Sequence, residues 1–257
     1  MKIAVHLHPQ HASYHQIREA AIAAEEMGAD VIYNWDHFYP LYGDSEGAHF
    51  EAWTMLASWA EVTSRVEIGC LVTCNTYRNP NLLADMARTV DHISDGRLVL
   101  GIGSGWFERD YDEYGYDFGT AGGRLDALSL ALPTIESRLG KLNPAPTRKI
   151  PILIGGGGER KTLQYAARHA DIWHYWWGEE WAGKNEVLER WCAEVDRDPA
   201  SIKRSVGVDT DKVDDYDELF GALAQANVHE VTLGTGGPHY KMDHMRRFIE
   251  WRDSLSS

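Results

Sequence analysis

The sequence predicts an α/β protein that folds as a single (β/α)8 TIM barrel over residues 1–257. Eight short runs rich in Val, Ile and Leu alternate with segments of helical periodicity, an alternation typical of βα units around a parallel sheet. Eight such units in 257 residues match the size of this barrel. Because neither a linker nor a low-complexity tract divides the chain, one domain is expected.

Each predicted strand is a short apolar run bounded by more polar sequence. In chain order the strands are Ile3–Leu7, Val31–Trp35, Val66–Thr73, Leu98–Ile102, Ile152–Ile154, Ile172–Trp176, Ser205–Val208 and Glu230–Leu233.

The intervening segments repeat apolar residues with the period of a helix that covers a sheet. They are Tyr14–Met27, Phe50–Thr63, Asn81–Ile93, Arg124–Leu139, Lys161–His169, Glu186–Val195, Tyr216–Gln225 and a closing helix Lys241–Ser254. The stretch around 111–147 is rich in Gly, Pro and Tyr. It is expected to be a long loop region, either an active-site lid or a plain connection.

The composition of the chain limits the classes of partner that it is expected to bind. The chain has 25 basic and 39 acidic residues, a net charge of −14, and no basic cluster, so nucleic acid and anionic membranes are poor partners. Its three cysteines have no paired metal spacing, and no apolar run approaches the roughly 20 residues of a membrane helix. A cytoplasmic protein with a small-molecule substrate is expected, and apolar residues such as Phe248 and Trp251 leave a homodimer as an option.

In a barrel of this kind the functional residues follow the strands, at the carboxyl-terminal face. Histidines and tryptophans are frequent at the predicted strand ends. They are His6 and His8 on the first strand, Trp35 and His37 after the second, Trp106 after the fourth, and His174, Trp176 and Trp177 at the sixth. The predicted mouth of the barrel is therefore aromatic.

Glycines mark the ends of two strands. Gly101, Gly103 and Gly105 alternate at the fourth strand, which leaves one of its faces without side chains. A flat ligand could lie there, or the glycines could make room for large neighbours inside the barrel. The spacing differs from the dinucleotide-binding fingerprint, which has two residues between its second and third glycines.

Four consecutive glycines, 155–158, follow the fifth strand and precede a helix. Converging backbone N–H groups and a helix N-terminus form a natural phosphate site, although a plain tight turn is the alternative. A phosphate at this turn and a flat ring against the fourth strand would together describe a flavin-like ligand.

Several motifs carry a family resemblance across most of residues 1–175. They are Trp35-Asp36-His37-Phe38, Tyr77-Arg78-Asn79-Pro80, Asp91-His92-Ile93-Ser94-Asp95-Gly96-Arg97-Leu98, Gly101-Ile102-Gly103-Ser104-Gly105-Trp106-Phe107-Glu108 and Pro151-Ile152-Leu153-Ile154-Gly155-Gly156-Gly157-Gly158-Glu159-Arg160. With them, the chain resembles the luciferase-like monooxygenase superfamily, and within it the branch that uses the deazaflavin coenzyme F-420 (also written F420).

The resemblance implies an F-420-dependent oxidoreductase that transfers a hydride between the deazaflavin and a small organic substrate. Asp36 and His37 match the acid–histidine pair beside the ring, and His37 is the expected proton-transferring group. A bulge in the third strand, often with a non-proline cis peptide, is implied around Leu71-Val72. The implied coenzyme-binding residues are Leu71, Val72, Thr73, Cys74, Asn75, Gly103, Gly105, Gly155, Gly156, Gly157, Gly158 and Glu159.

The expected substrate residues are His8, Trp35, Trp106, Trp176 and Trp177. These aromatic side chains favour a flat or apolar substrate, unless the tryptophans simply pack beneath the long loop region. A sugar phosphate is not expected, because the ends of the last two strands are acidic or uncharged rather than basic.

Three other functions stay open at this point. The same superfamily includes monooxygenases that use FMN and dioxygen, and a glycine turn does not distinguish the two coenzymes. His6-Leu7-His8 has the form of the first metal ligands of a barrel hydrolase, since residues i and i+2 of a strand face one way. The sixth strand offers His174 as a further ligand, but the fourth strand ends in glycines and the eighth lacks the expected aspartate, so no metal is expected. A coenzyme carrier or sensor without a reaction of its own is the third.

Overall fold

The computed structural model describes residues 1–255. The strands form one closed parallel sheet in which each pairs with the next and the last pairs with the first. The predicted TIM barrel is confirmed. Within the described residues the strands are β1 (Lys2–His8), β2 (Val31–Asn34), β3 (Glu67–Cys70), β4 (Thr73–Cys74), β5 (Leu98–Gly103), β6 (Ile152–Gly155), β7 (Ile172–Trp176), β8 (Lys203–Val208) and β9 (Glu230–Gly236).

The third barrel strand is interrupted, and for this reason nine segments make an eight-stranded barrel. β3 pairs with β5 at Ile68 and Leu98, and β4 resumes the pairing at Thr73 and Ile102. Leu71 and Val72 lie between the two segments, outside the ladder. The structure therefore contains the bulge that the family resemblance implied.

Helices cover the outside of the barrel. They are α1 (Tyr14–Met27), α2 (Ala52–Val62), α3 (Pro80–Ile93), α4 (Glu108–Tyr114), α5 (Ala121–Leu139), α6 (Thr162–His169), α7 (Trp181–Glu194), α8 (Tyr216–Gln225) and α9 (Asp243–Ser254). The start of α1 has a capping box, in which Ser13 and Gln16 exchange hydrogen bonds with each other's backbone N–H groups.

The structure corrects the prediction of a long loop region around 111–147. This segment is largely helical, because α4 reaches into it and α5 occupies residues 121–139. The Thr120 side chain accepts a hydrogen bond from the Gly123 backbone and so caps α5 three residues before the predicted start. The earlier start of α5 was not predicted, because its first turn contains two glycines.

Alternation along β1 fixes which side chains face the barrel interior. Ile3, Val5 and Leu7 pack outward beneath the helices, whereas Ala4 belongs to the small cluster inside the barrel. Since residues two apart share a face, His6 and His8 continue the inward row toward the carboxyl-terminal end.

The residues that suggested a subunit interface pack within the chain. Phe248 is fully buried, and Trp251 stacks on Phe220 with ring centroids 4.3 Å apart. This pairing joins α8 to α9, so these side chains no longer support a homodimer, which stays a prediction. Among residues 1–255, no helix has the length and apolar character needed to cross a membrane.

Candidate functional site

A cavity of about 1210 Å³ opens at the carboxyl-terminal end of the barrel. The bulge Leu71–Val72 lines it, together with the ends of β1, β7, β8 and β9 and the loop between β8 and α8. Of the predicted substrate residues, it brings together His8, Trp176 and Trp177, and it adds His6 and His174. Its position agrees with the face at which TIM-barrel enzymes hold their active sites.

The bulge explains the glycine series of β5. The Leu71–Val72 peptide bond is cis, and a methyl group at Gly103 or Gly155 would lie 2.7 or 3.0 Å from a methyl carbon of Val72. At Gly101 it would lie 2.0 Å from the carbonyl oxygen of Cys70. These glycines make room for the bulge, so the interpretation that their bare face receives a flat ligand directly is wrong.

Gly105 has a different local role. Its φ of +84° is in the left-handed region, and a methyl group there would lie 2.0 Å from the Tyr111 hydroxyl and 2.5 Å from Cys74 Sγ. Only glycine fits this conformation and this space. The coenzyme-binding roles of Gly103 and Gly105 stay predictions.

His37 follows β2 and is held by a carboxylate on α4. Its Nδ1 lies 2.7 Å from Oδ2 of Asp110, which is fully buried. Asp110 also accepts hydrogen bonds from the Tyr77 hydroxyl and from the backbone N–H groups of Phe38 and Tyr39. A carboxylate with four donors is fixed in place, so it fixes the orientation of the imidazole and leaves Nε2 available.

Asp36 is not bonded to His37, because its carboxylate binds another partner. It accepts a two-pronged ion pair from Arg78, at 2.5 and 2.8 Å, and a 2.9 Å hydrogen bond from the Cys74 backbone. Consecutive residues after a strand point to opposite sides, so Asp36 and His37 do not form the expected pair. The carboxylate that holds His37 is Asp110, whereas Asp36 anchors β4. The catalytic role of Asp36 stays a prediction.

The predicted aromatic residues divide into two groups. Trp35 is buried, stacks on His8 at a centroid distance of 4.4 Å and donates its indole N–H to His49. Trp106 is 63% exposed and meets His37 edge-on at 5.6 Å. Trp35 therefore forms a wall behind His8, while Trp106 is positioned to cover His37.

The second group lies across the cavity. Trp176 is also 63% exposed, and Trp177 packs at a centroid distance of 5.2 Å from Trp181. A methyl group at Gly207 would meet the Trp176 ring at 2.8 Å. Neither Trp106 nor Trp176 is packed beneath a loop, which was the alternative interpretation. Their substrate-binding roles stay predictions.

Three further histidines near the cavity lack a carboxylate partner. Burial lowers the pKa of His8 and of His174 to about 4, and burial, with a smaller effect of His8, holds the pKa of His6 well below its usual value. His8 Nδ1 lies 2.5 Å from the Tyr42 hydroxyl. These imidazoles are neutral at pH 7.

A buried polar chain runs from the cavity into the barrel. His174 Nδ1 donates to Ser205 Oγ at 2.8 Å, and Ser205 donates to Glu230 at 2.8 Å. The Tyr33 hydroxyl also donates to Glu230, and burial raises the pKa of this carboxyl group. The chain fixes the His174 tautomer, so Nε2 is its hydrogen-bond acceptor.

The glycine turn after β6 is held from two sides. The Gly156 N–H donates to the carbonyl of His174, and the Gly156 carbonyl accepts from the Trp173 indole. A methyl group at Gly157 would meet the Tyr175 ring at 2.5 Å. Glu159 lies next and accepts an ion pair from Lys184 at 2.9 Å. Phosphate binding by Gly155, Gly156, Gly157, Gly158 and Glu159 stays a prediction.

The residues after the bulge are buried. Thr73 is fully buried, and the Asn75 side-chain oxygen has no hydrogen-bond partner within the described part of the chain. Cys74 Sγ lies 3.1 Å from the Tyr111 hydroxyl, and burial raises the pKa of its thiol. A thiol of this kind is a wall residue and not a nucleophile.

A model of the family described as luciferase-like monooxygenase matches residues 1–247. The chain belongs to the luciferase-like monooxygenase family. It is 30% identical over 172 residues to the F420-dependent glucose-6-phosphate dehydrogenase of Amycolatopsis mediterranei, an alignment that covers 60% of this chain and 50% of the relative. The chain thus spans about half the length of the curated relatives it matches.

Two solved structures superimpose over nearly the whole chain. An F420-dependent secondary alcohol dehydrogenase in complex with an F420-acetone adduct has a TM-score of 0.80 at 17% identity, covering 98% of this chain and 97% of that one. The coenzyme F420-dependent tetrahydromethanopterin reductase of Methanopyrus kandleri has a TM-score of 0.74 at 17% identity, covering 97% and 96%. At these identities the likeness concerns the fold.

Several residues of the site were not predicted from the sequence. Asp110 and Arg78 are 73 and 42 residues from the side chains they bond, so no local motif joins them. Ser205 lies within β8 and Glu230 begins β9, and an ionisable residue in a buried strand is the signal that could have found Glu230.

The alternative of a metal hydrolase finds no support in the geometry. His6 and His8 lie edge to face with ring centroids 5.1 Å apart. Within residues 1–255 no group of three or more His, Cys, Asp or Glu side chains is arranged to hold a metal ion. The neighbours of His8 are aromatic rings.

Proposed function

We propose that this protein is a coenzyme F-420-dependent oxidoreductase that transfers a hydride between the deazaflavin and a small organic substrate. The observation that carries the proposal is the buried His37–Asp110 pair at the mouth of a barrel of this family. The curated relative and the two structures named above are F420-dependent enzymes by name, which supports the same coenzyme.

The residues present fit such a coenzyme. Asn75 offers a buried oxygen that lacks a partner among residues 1–255, and an unpaired buried acceptor is costly unless a ligand supplies a donor. The turn at Gly155–Gly158 leads into α6, and Lys184, which pairs with neighbouring Glu159, lies close to it, so a phosphate held by the backbone N–H groups of the turn would have a cation nearby. Leu71 and Val72 would support one face of the ring.

When bound, the deazaflavin supplies or accepts the hydride. The chain's own task is to move the proton that accompanies it. His37 can do this through Nε2, because Asp110 holds Nδ1 and therefore fixes both the tautomer and the direction of the ring. Trp106 covers this histidine and would limit access of water.

An anaerobic assay tests the proposal. The purified protein is mixed with reduced F-420 and a panel of carbonyl, enoyl and imine acceptors, and reoxidation of the coenzyme is followed by its visible absorbance. Acceptor-dependent reoxidation without oxygen is expected. Product formation only with reduced FMN and dioxygen would instead favour a monooxygenase, and tight F-420 binding without turnover of any acceptor would favour a carrier or sensor.

A further inference from the structure

The cavity has an acidic rim on the side of β7 and β8. Six exposed carboxylates line it, and Lys212, the single Lys or Arg among the lining residues, is paired with Asp209 at 2.9 Å. Like charges around a cleft attract cations and repel anions. The carboxylates are Glu179, Asp209, Asp211, Asp214, Asp215 and Glu218.

The floor of the same cavity provides hydrogen-bond acceptors. His6 lines it, and its buried Nε2 has no partner among residues 1–255. The opposite ring nitrogen is not available as an acceptor, because the imidazole hydrogen-bonds to the backbone at Asn34. His174 also lines the cavity and donates through Nδ1 to Ser205, which leaves Nε2 as an acceptor. An unpaired buried acceptor favours a ligand that brings a donor.

We propose that the substrate taken by this cavity is a small organic cation with N–H groups, a primary or secondary amine, in preference to an organic anion. This inference rests on the proposed function and names the substrate class of that oxidoreductase. The rim supplies long-range attraction, and the two imidazoles accept the N–H groups of the amine once it is inside. Trp176, Val208 and Leu219 line the same cavity and provide contacts for the carbon skeleton.

Ligands of one shape and three charges test this inference. Benzylamine, benzyl alcohol and benzoate are titrated by calorimetry into the protein, with and without saturating oxidised F-420. Benzylamine is expected to bind roughly tenfold more tightly than benzyl alcohol, because a charge-assisted hydrogen bond is stronger than a neutral one. Benzoate is expected not to bind. Equal binding of the alcohol, or preferential binding of benzoate, overturns the inference.

Rim variants separate the carboxylates from overall charge. In Asp211→Asn/Asp214→Asn/Glu218→Gln the dissociation constant for benzylamine should rise several-fold and lose most of its salt dependence. The matched control is Glu61→Gln/Glu194→Gln/Glu250→Gln, which removes three exposed carboxylates from α2, α7 and α9. Equal weakening in both variants would contradict a role of the rim.

The test also distinguishes this inference from the proposed function. F-420 binding is measured in the same series, so its absence counts against the oxidoreductase. Normal F-420 binding with no preference for the amine counts against the cationic substrate alone. The titrations without coenzyme examine the cavity itself, which the chain forms from its own residues.

Discussion

The histidines at the barrel mouth form two sets that differ in the groups that hold them. His37 has a buried carboxylate, Asp110, on its Nδ1. His6, His8 and His174 are bound instead by a backbone group, a tyrosine hydroxyl and a serine hydroxyl. The residue type is the same, but of these four rings only that of His37 is paired with a carboxylate within residues 1–255.

This difference separates two tasks. An imidazole held by a carboxylate can take up or release a proton while its orientation is kept. Imidazoles that burial keeps neutral cannot easily take up a proton, and they serve as hydrogen-bond acceptors. We therefore assign proton transfer to His37 and substrate recognition to His6, His8 and His174.

Removing His37 should have the largest effect. His37→Ala is expected to lower turnover by roughly 100-fold or more, the scale of a lost general acid or base, with F-420 affinity within about tenfold. Steady-state kinetics and coenzyme titration measure the two quantities. His15→Ala, an exposed histidine on α1, is the control. Unchanged turnover in His37→Ala would remove this residue from the mechanism.

Replacing Asp110 and replacing Asp36 should have different effects. Asp110→Asn is expected to lower turnover by roughly tenfold to 100-fold, because an amide can hold the wrong tautomer of His37. Asp36→Asn should instead lower the free energy of unfolding by about 1–3 kcal/mol through Arg78 and β4. Asp112→Asn on the surface of α4 is the control. If Asp36→Asn showed the larger kinetic defect, the assignment of Asp110 would be contradicted.

The lowered pKa of His8 should be visible in the pH dependence of the free energy of unfolding. Folded His8 binds a proton only near pH 4, whereas the unfolded chain binds it near pH 6.5. The unfolded state therefore holds more protons between these values, and the free energy of unfolding falls as pH falls from 6.5 to 4.

Replacing the buried histidine should flatten this profile. Across that pH window, the free energy of unfolding of His8→Gln is expected to fall by about 2 kcal/mol less than that of the wild-type protein. Urea unfolding measures this difference. Glu230 has a raised pKa and changes stability in the opposite direction, but it is present in both proteins and cancels. His15→Gln should keep the wild-type slope, and an unchanged slope in His8→Gln would show that this histidine titrates normally.

The glycines that surround the bulge should give the smallest effects. Gly101→Ala is expected to cost about 2 kcal/mol, because its methyl group meets the backbone oxygen of Cys70. Gly155→Ala should cost about 1 kcal/mol or less, since the contact at 3.0 Å is with a side-chain methyl group of Val72. Chemical unfolding measures both. The reverse order would show that the bulge is not what requires these glycines.

Much of the fold could be predicted from the sequence because periodicity is local. The bounds of α1 and α8 and the inward row of β1 follow from patterns within one segment. The position of the bulge at Leu71–Val72 could be predicted only from the family resemblance. The reason for Gly101 and Gly103 could not, because the atoms they avoid belong to another strand.

Long-range partners set the limit at the site. His37 was identified, but its carboxylate came from α4, a helix that was not predicted, and not from neighbouring Asp36. The acceptor floor depends on the joint burial of residues from β1, β7 and β8, which no single motif encodes.

The most direct test of the account is a titration of the wild-type protein with F-420 and, in parallel, with FMN, followed by quenching of tryptophan fluorescence. The ten tryptophans of the chain make this measurement sensitive. The account predicts micromolar binding of F-420 and much weaker binding of FMN. Tighter binding of FMN, or binding of neither, would contradict it.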